Sequence, residues 1–313
     1  MSLIHLFSPS GVVAQPAALT RATKRLKASG FQVHVDDSAL ARHQRFAGSD
    51  DVRLAAIHRV AQAAPAIAMP TRGGYGLTRL LDRIDWQLLA RSVEQGTRWV
   101  GHSDFTALQI GLLAHAGGAS GGAPGGHSWA GPMATDDFGR TDEAGGVDEV
   151  THDCFAEAMS GELEAVGFRT EAGFDGLSVR GRLWGGNLCM LVSLLGTPHW
   201  PAARLIKGGV LFLEDVNEHP YRVERALLQL HQAGVLSAQK AVLLGQFSAW
   251  KPAPLDRGYN LKTALTHLRS LLKTQQVPVL TGLPFGHVPT KVSLPVGRRV
   301  ELLVQGRDAL VGW

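Results

Sequence analysis

Apolar residues in the first half of the chain follow two alternating patterns. Short apolar runs, typical of buried strands, alternate with stretches in which apolar residues recur every three or four positions, as on one face of a helix. The pattern predicts strands at 3–7, 31–35, 66–69 and 99–100, and helices at 16–28, 50–63 and 77–81. This alternation predicts a doubly wound parallel sheet of the Rossmann or flavodoxin type.

The second half of the chain has a different pattern. Strand-like segments lie at 208–213, 241–246, 279–281 and 300–304, with one clear helical stretch at 221–233. We therefore expect an α/β protein of two domains. The first covers residues 1–147, and the second is a β-rich, mixed α+β domain over residues 165–313 that can swivel against it.

The composition changes abruptly near the end of the first domain. Residues 117–126 are all glycine, alanine, serine or proline, which cannot form a packed core. We expect a mobile loop there, within a linker region that extends over 117–147. Helical patterning resumes at 150–159.

Composition and charge narrow the functional classes. The chain of 313 residues is 45% hydrophobic and 19% charged, as in soluble globular proteins. Its net charge of +4 comes from scattered lysines and arginines, so the sequence indicates no nucleic-acid partner. Two cysteines form no disulfide framework, the N-terminus lacks a signal-peptide pattern, and no apolar run approaches the ~18 residues that span a bilayer. We expect a cytoplasmic protein with no membrane partner.

One junction between a strand and a helix carries candidate chemistry. Trp99 and Val100 end a buried strand, and an apolar helical pattern begins at Phe105, with Ser103 at the turn between them. A sharp strand-to-helix turn at a serine is the geometry of a nucleophile elbow, although Phe105 stands where that motif has its second glycine. The alternative is that Ser103 or Asp104 only caps the helix.

A glycine-rich loop follows the third predicted strand, at 72–76. It fails as a dinucleotide fingerprint because Arg79 stands where the third glycine belongs, and it lacks the lysine of a P-loop. The loop can instead supply backbone N–H groups near Ser103, or it is an ordinary tight turn. No metal-ligand spacing is present, and the pairs Asp36-Asp37 and Asp136-Asp137 are typical of solvated loops. We expect neither a metal nor a cofactor.

A serine nucleophile needs a base and an acid that orients the base. Among 13 histidines, His102 is a poor base because neighbours at a strand end point in opposite directions. His287 follows a strand among turn residues and is better placed, unless it is an incidental loop histidine. For the acid, Glu214 ends an apolar strand, and Asp215 and Glu218 are its local rivals.

Read together, seven short blocks resemble the LD-carboxypeptidase family, serine peptidases of the S66 type that trim bacterial murein peptides, and most closely its cytoplasmic murein tetrapeptide branch. The resemblance covers nearly the whole chain. The blocks occur in the family's order and are Ser8-Pro9-Ser10-Gly11, Arg45-Phe46-Ala47-Gly48, Arg72-Gly73-Gly74-Tyr75-Gly76, Gly101-His102-Ser103-Asp104-Phe105-Thr106, Leu183-Trp184-Gly185-Gly186-Asn187-Leu188, Leu213-Glu214-Asp215-Val216-Asn217-Glu218-His219-Pro220 and Phe285-Gly286-His287.

The resemblance implies a triad of Ser103, Glu214 and His287, and it selects Glu214 over its rivals. It also implies oxyanion donors at the backbone N–H groups of Gly74 and Asp104. The main departure from the family is the enlarged stretch 117–126. Since the nucleophile lies in the first domain and the other two residues lie in the second, the site must form between the domains.

The function implied is that of a serine carboxypeptidase that releases the terminal D-Ala from murein tetrapeptides during peptidoglycan recycling. The family further implies a homodimer. Arg72, Trp184 and Asn187 are candidate substrate contacts, although Trp184 is equally explained as a core residue and Arg72 can serve to hold its own loop. Two alternatives stay open: a self-immunity peptidase that cleaves peptidyl-nucleotides of the microcin C type, and a catalytically silent muropeptide-binding protein.

Overall fold

The first half of the chain alternates strands and helices. The computed structural model describes residues 2–116 and 128–313, so the predicted loop at 117–126 lies outside the described residues. The strands are β1 Leu3–Phe7, β2 Gln32–Val35, β3 Ile67–Pro70, β4 Arg98–Gly101 and β5 Ser128–Ala130, and the helices are α1 Pro16–Ala28, α2 Asp50–Ala63, α3 Trp86–Glu94, α4 Thr106–Ala116 and α5 Glu149–Ser160.

The second half is richer in strands. Its strands are β6 Ala165–Arg169, β7 Ser178–Asn187, β8 Val210–Val216, β9 Ala241–Ser248, β10 Val279–Thr281, β11 Leu294–Val296, β12 Arg299–Gln305 and β13 Asp308–Gly312, and its helices are α6 Leu188–Leu194, α7 Ala203–Ile206, α8 Pro220–Gln232 and α9 Leu261–Leu272.

The first sheet has the strand order β2-β1-β3-β4-β5, with all neighbours parallel, and β11 added antiparallel to β5 at the edge. This order is the flavodoxin-like one, in which ligands bind beyond the carboxyl ends of β1 and β3. The predicted doubly wound sheet is therefore confirmed. Its outermost strand, β11, comes from the far end of the chain.

The second sheet is mixed, in the order β10-β9-β8-β7-β12-β13-β6. Strands β7, β8, β9 and β10 run parallel to one another, whereas the pairs β7–β12, β12–β13 and β13–β6 are antiparallel. The predicted mixed, β-rich second half is confirmed. The boundaries at residues 147 and 165 stay a prediction.

Helix α4 joins the two sheets through a common core. Of its eleven residues, all but Ala114 and His115 are buried. Its Leu108 belongs to one apolar cluster that also contains Trp99 from the first sheet and Leu211 from the second. A helix that is apolar all round must be covered on every side, so the sequence of α4 requires both sheets to pack against it.

Several local predictions differ from the structure. The helix predicted at 77–81 is two short 3-10 turns, Leu77–Arg79 and Leu81–Arg83, because the buried leucines recur at a spacing that suits either helix type. Asp36 and Asp137 are not solvated: they are 4% and 3% exposed, and each pairs with a cation. In residues 2–116 and 128–313, no helix is long and apolar enough to cross a membrane.

Buried Arg53 supports the loops at the carboxyl edge of the first sheet. Its side chain is fully buried, and one terminal nitrogen donates to the carbonyl oxygens of Pro9 at 2.8 Å and Gly76 at 2.9 Å. The other terminal nitrogen pairs with Asp50. One buried guanidinium group therefore holds the loops after β1 and β3 together through hydrogen bonds.

We expect Arg53→Met to lower the free energy of unfolding by about 2–4 kcal/mol, because it leaves two backbone carbonyls without their donor. Urea denaturation measures the change. The matched control is Arg83→Met, since Arg83 pairs with the exposed Asp51 and the loss of that pair should cost less than about 0.5 kcal/mol. Equal losses for the two variants would contradict this role.

Candidate active site

Ser103 lies at a sharp turn between β4 and α4. His102 is still extended, at φ −145°, and Ser103 adopts a left-handed conformation at φ 63°. A residue with a side chain rarely adopts this conformation, and such strain concentrates at functional sites. The next residues form one 3-10 turn, Ser103–Phe105, before α4 begins. The predicted elbow geometry is therefore present, with the side chain of Ser103 partly exposed.

The glycine loop after β3 packs directly over Ser103. A Cβ atom placed on Gly73 would lie 2.7 Å from Ser103 Oγ and 3.5 Å from the backbone nitrogen of Asp104. Only glycine fits at this position without displacing the serine. The loop is held there by the backbone nitrogen of Gly11, which donates to the carbonyl of Gly73 at 3.1 Å.

Two backbone N–H groups beside Ser103 have no acceptor within the described part of the chain. They belong to Gly74 and Asp104, the predicted oxyanion donors. The carbonyl of Gly73 points to Gly11, and in a trans peptide the following N–H, that of Gly74, points the opposite way. Both groups remain available to a ligand.

The carboxylate of Asp104 fixes the turn to the glycine loop. Asp104 is 1% exposed, and its Oδ2 accepts a hydrogen bond from the backbone nitrogen of Leu77 at 3.0 Å. Burial raises the pKa of Asp104, and the backbone donors act against that rise. The side chain of the residue after the serine thus holds the glycine loop and the serine turn in one arrangement.

Glu214 and His287 form a hydrogen-bonded pair. Glu214 lies in β8 with no exposed surface, and His287 follows β10. His287 Nδ1 lies 2.7 Å from Glu214 Oε2. With Nδ1 donating to the carboxylate, the lone pair of the neutral imidazole is on Nε2, which is the arrangement required of a general base.

The other oxygen of Glu214 is held by Asn187. Asn187 Nδ2 donates to Glu214 Oε1 at 3.1 Å and to Asp215 Oδ1 at 3.0 Å. Its Oδ1 accepts from the backbone nitrogen of Met190, at the start of α6. Asn187 is 6% exposed, and its amide is fully used inside the protein. Asn187 therefore orients the buried acids. Its predicted role as a substrate contact stays a prediction.

The environment shifts the pKa values of this group. Burial by itself would lower the pKa of His287, but the hydrogen bond and charge of Glu214 outweigh it, and the pKa is raised. Burial, together with the charge of Glu214, raises the pKa of Asp215 to about 6, although three donors oppose the shift. Two neighbouring groups with raised pKa values, Asp215 and His287, are typical of a functional site.

His102 links the serine turn to the histidine. It is 3% exposed, its Nδ1 lies 2.9 Å from the carbonyl of Gly131, and its ring packs edge-on against that of His287 with 5.0 Å between centroids. Burial lowers the pKa of His102 well below its ordinary value. His102 is therefore a neutral spacer between the two predicted residues, consistent with its rejection as the base.

His287 packs against His102, the residue before Ser103. In the described part of the chain, no hydrogen bond joins Ser103 Oγ to the imidazole. Such contacts are often long in proteins without substrate and tighten when substrate binds. The structure thus unites Glu214 with His287 and Ser103 with the glycine loop.

The other predicted substrate contacts have different environments. Trp184 has no exposed surface, and its Nε1 donates to Gln239 at 3.0 Å. These are the surroundings of a core residue, and its role as a substrate contact stays a prediction. Arg72 is partly exposed and lines a cavity beside the site, with one bond from Nη1 to the carbonyl of Val12 at 3.3 Å.

Three residues of the site were not predicted from the sequence. Lys291 and Asp137 form a buried ion pair at the cavity that His287 lines, and Asp137 also accepts from the backbone nitrogen of Met133 at 2.8 Å. Asp215 was considered only as a rival of Glu214, whereas the structure uses both acids. The sequence signal for a role of Asp215 was its position next to Glu214, near the end of a predicted strand.

Both halves of the chain match one protein family. Residues 4–121 match the LD-carboxypeptidase N-terminal domain, and residues 180–302 match the LD-carboxypeptidase C-terminal domain. The chain is 27% identical over 314 residues to the probable murein peptide carboxypeptidase of Bacillus subtilis strain 168, covering 96% of this chain and 90% of that protein.

Solved structures agree with the family match. The crystal structure of muramoyltetrapeptide carboxypeptidase from Oxalobacter formigenes is similar with a TM-score of 0.85 and 40% identity, over 100% of this chain and 99% of that one. The microcin C7 self-immunity protein MccF, in complex with aspartyl sulfamoyl adenosine, has a TM-score of 0.82 at 21% identity, over 100% and 96% of the two chains. That second likeness shows a shared fold.

We expect Glu214→Gln to lower the pKa of His287, because the carboxylate that opposes the effect of burial is removed. Titration of the imidazole by NMR, with His287→Gln used to assign the resonance, measures the change. Glu218→Gln is the matched control, since Glu218 pairs with Arg222 and should leave the pKa of His287 where it is. An unshifted pKa in Glu214→Gln would contradict the assigned pairing.

Proposed function

The chain belongs to the LD-carboxypeptidase family, and from this premise we propose that it is a serine peptidase that releases the terminal D-Ala from murein tetrapeptides. The observation that carries the proposal is the pair of Glu214 and His287, 2.7 Å apart, in which the imidazole packs against His102, the residue that precedes the serine of a strained turn. The substrate follows from the relatives, two of which are named for murein peptides.

The proposed reaction begins at Ser103. Its Oγ attacks the carbonyl carbon of the third residue of the stem peptide, while His287 Nε2 takes the hydroxyl proton. Glu214 accepts from Nδ1 and stabilises the imidazolium that forms. The tetrahedral oxyanion receives hydrogen bonds from the backbone N–H groups of Gly74 and Asp104, which have no other acceptor among the described residues.

Collapse of the intermediate breaks the bond to D-Ala. His287 gives its proton to the departing amine, and D-Ala leaves as the free amino acid. Water then attacks the acyl-enzyme, with His287 again taking a proton, and the tripeptide is released as its carboxylate while Ser103 recovers its proton. Every proton in this scheme passes through Nε2, so the raised pKa of His287 favours the steps in which the imidazolium forms.

The nucleophile and the acid–base pair come from different halves of the chain. The backbone nitrogen of Asn187 donates to Thr106 Oγ1 at 3.1 Å, and Gly186 packs against the same threonine. Thr106 begins α4, three residues after Ser103, and Asn187 holds Glu214. This contact supports a shared active site, since it connects the two groups through a few rigid bonds.

We further propose a role in peptidoglycan recycling in the cytoplasm, and a homodimer as the working state. Both follow from the family resemblance rather than from a residue of this chain. Light scattering of the purified protein measures the mass in solution against 33.5 kDa for one chain, and a mass of one chain at all concentrations would refute the dimer.

We expect Ser103→Ala to lower kcat for D-Ala release by about 10⁴- to 10⁶-fold, as loss of a triad nucleophile does. The assay uses a murein tetrapeptide, with EDTA present to remove any contribution from metal ions. Ser193→Ala, which changes an exposed serine of α6, is the matched control and should retain full activity.

The outcomes of this assay separate the possible functions. Absence of D-Ala release by folded wild type refutes the murein reaction, and cleavage of a peptidyl-nucleotide would then favour the self-immunity activity. Binding of the tetrapeptide without turnover would favour a silent binding protein. Equal release by wild type and Ser103→Ala would retain the reaction and reject Ser103 as its nucleophile.

A further inference from the structure

Lys291 is a buried lysine four positions after His287. It is 2% exposed, and its Nζ pairs with the carboxylate of Asp137, which is 3% exposed. Both residues line a cavity of about 290 Å³ together with His102 and His287. Replacing a buried ion pair by apolar residues is often neutral or even stabilising, because burial of two charges is costly. Stability alone therefore gives little reason for a positive charge at this position.

Hydrogen bonds fix the place of this ion pair. The backbone nitrogen of Lys291 donates to Thr151 Oγ1 at 2.8 Å, and the same hydroxyl donates to the carbonyl of Pro289 at 2.8 Å. One threonine of α5 thus holds the segment that follows His287 at two points. Asp137 is held as well, since its Oδ2 accepts from the backbone nitrogen of Met133 at 2.8 Å. The ammonium group of Lys291 therefore has a defined position in the wall of the cavity.

Two imidazoles line this cavity, and they have different partners. His287 Nδ1 lies 2.7 Å from the carboxylate of Glu214, whereas His102 Nδ1 donates to the carbonyl of Gly131 at 2.9 Å. The two rings are in edge-on contact, with 5.0 Å between centroids, so a proton on one ring disfavours a second proton on the other. Burial and then the charge of Lys291 lower the pKa of His102. His102 is therefore the ring that stays neutral.

The charges around His287 are mostly negative. The titratable and charged side chains that face it are Glu214 and Asp215 in β8, His102 before the serine turn, Asp136, Asp137 and Arg140 after β5, and Lys291 on its own segment. Carboxylates stabilise the imidazolium, and a histidine that is already protonated cannot take the proton of a serine. Burial and the charge of Lys291 both oppose the effect of Glu214 on the pKa of His287. Lys291 thus acts against the excess of negative charge.

We propose that Lys291 is a positioning residue for the proposed reaction: its ammonium group, held by Asp137 and α5, counteracts the carboxylates around His287 and keeps the imidazole free to take the proton of Ser103. This proposal rests on the proposed function. Lys291 acts here through His287. The same charge makes the imidazolium a stronger acid once it has formed, which favours proton donation to the departing amine of D-Ala.

The test removes this charge and measures the proton on His287. Lys291→Met keeps an unbranched side chain of similar length without the ammonium, so the pKa of His287 should rise by about one unit. NMR titration of the imidazole in the whole chain measures this shift without any need for turnover. The acidic limb of the pH profile of kcat/KM, for D-Ala release from a murein tetrapeptide, should move up by the same amount, so that activity is lost mainly at low pH.

A second variant guards against loss of stability. Lys291→Met leaves Asp137 buried without its cation, which should lower the melting temperature. The double variant Asp137→Asn/Lys291→Met removes both charges, and an amide oxygen can still accept from the backbone nitrogen of Met133. In this variant the pKa of His287 should rise by about half a unit, because the loss of the acid offsets only part of the loss of the lysine.

A control and the contrary results complete the design. Lys240→Met removes a lysine whose Nζ donates to the carbonyl of Arg180 at 2.7 Å, and it should leave the titration and the pH profile unchanged. An imidazole pKa that is unchanged or lower in the folded Lys291 variants contradicts the proposal, and so does a kcat/KM that falls by the same factor at every pH. If folded wild type releases no D-Ala, the proposed function itself is wrong, while the titration still decides whether Lys291 acts on His287.

Discussion

The site depends on one close contact between the end of β7, in the second sheet, and the start of α4. Gly186 and Asn187 make this contact with Thr106. A Cβ atom on Gly186 would lie 2.6 Å from Thr106 Oγ1, so the strand can approach the helix this closely only as glycine. The contact sets the separation between the serine turn and the buried acids. The chain neighbours of these residues, Ala107 and Leu188 among them, belong to a core that both sheets share, and packing at that density does not shift continuously.

Three buried carboxylates of the candidate site are each compensated in a different way. Backbone N–H groups stabilise Asp104, the imidazole and an amide stabilise Glu214, and a lysine stabilises Asp137. Because an uncompensated charge in such surroundings is costly, these partners must be in place before the protein is stable. The same bonds that satisfy the carboxylates therefore also orient the groups that the proposed chemistry uses. Stability and preorganisation have a common origin here.

The sequence was sufficient to predict those parts of the protein that are encoded locally. The turn at Ser103, the strand that carries Glu214 and the helices α1 and α2 are each visible in a window of a dozen residues. The pairing of Lys291 with Asp137 cannot be predicted in this way, because 154 positions separate the two residues and no local pattern connects them. Likewise, an asparagine such as Asn187 is a residue type that often contacts a substrate. Only the pairing of β7 with β8 shows that its amide faces two acids. Short strands such as β11 carry too few residues for a periodic signal.

The position of β11 has a consequence for the way the chain is made. This strand, Leu294–Val296, pairs with β5 and covers what is otherwise the open edge of the first sheet. During synthesis on the ribosome, that edge stays uncovered until β11 itself has emerged, long after β5. An uncovered edge strand is a template for pairing with other chains. The N-terminal half is thus a topological unit but not an autonomous one, and a shuffled gene that joined it to a different C-terminal half would have to supply a substitute for those three residues.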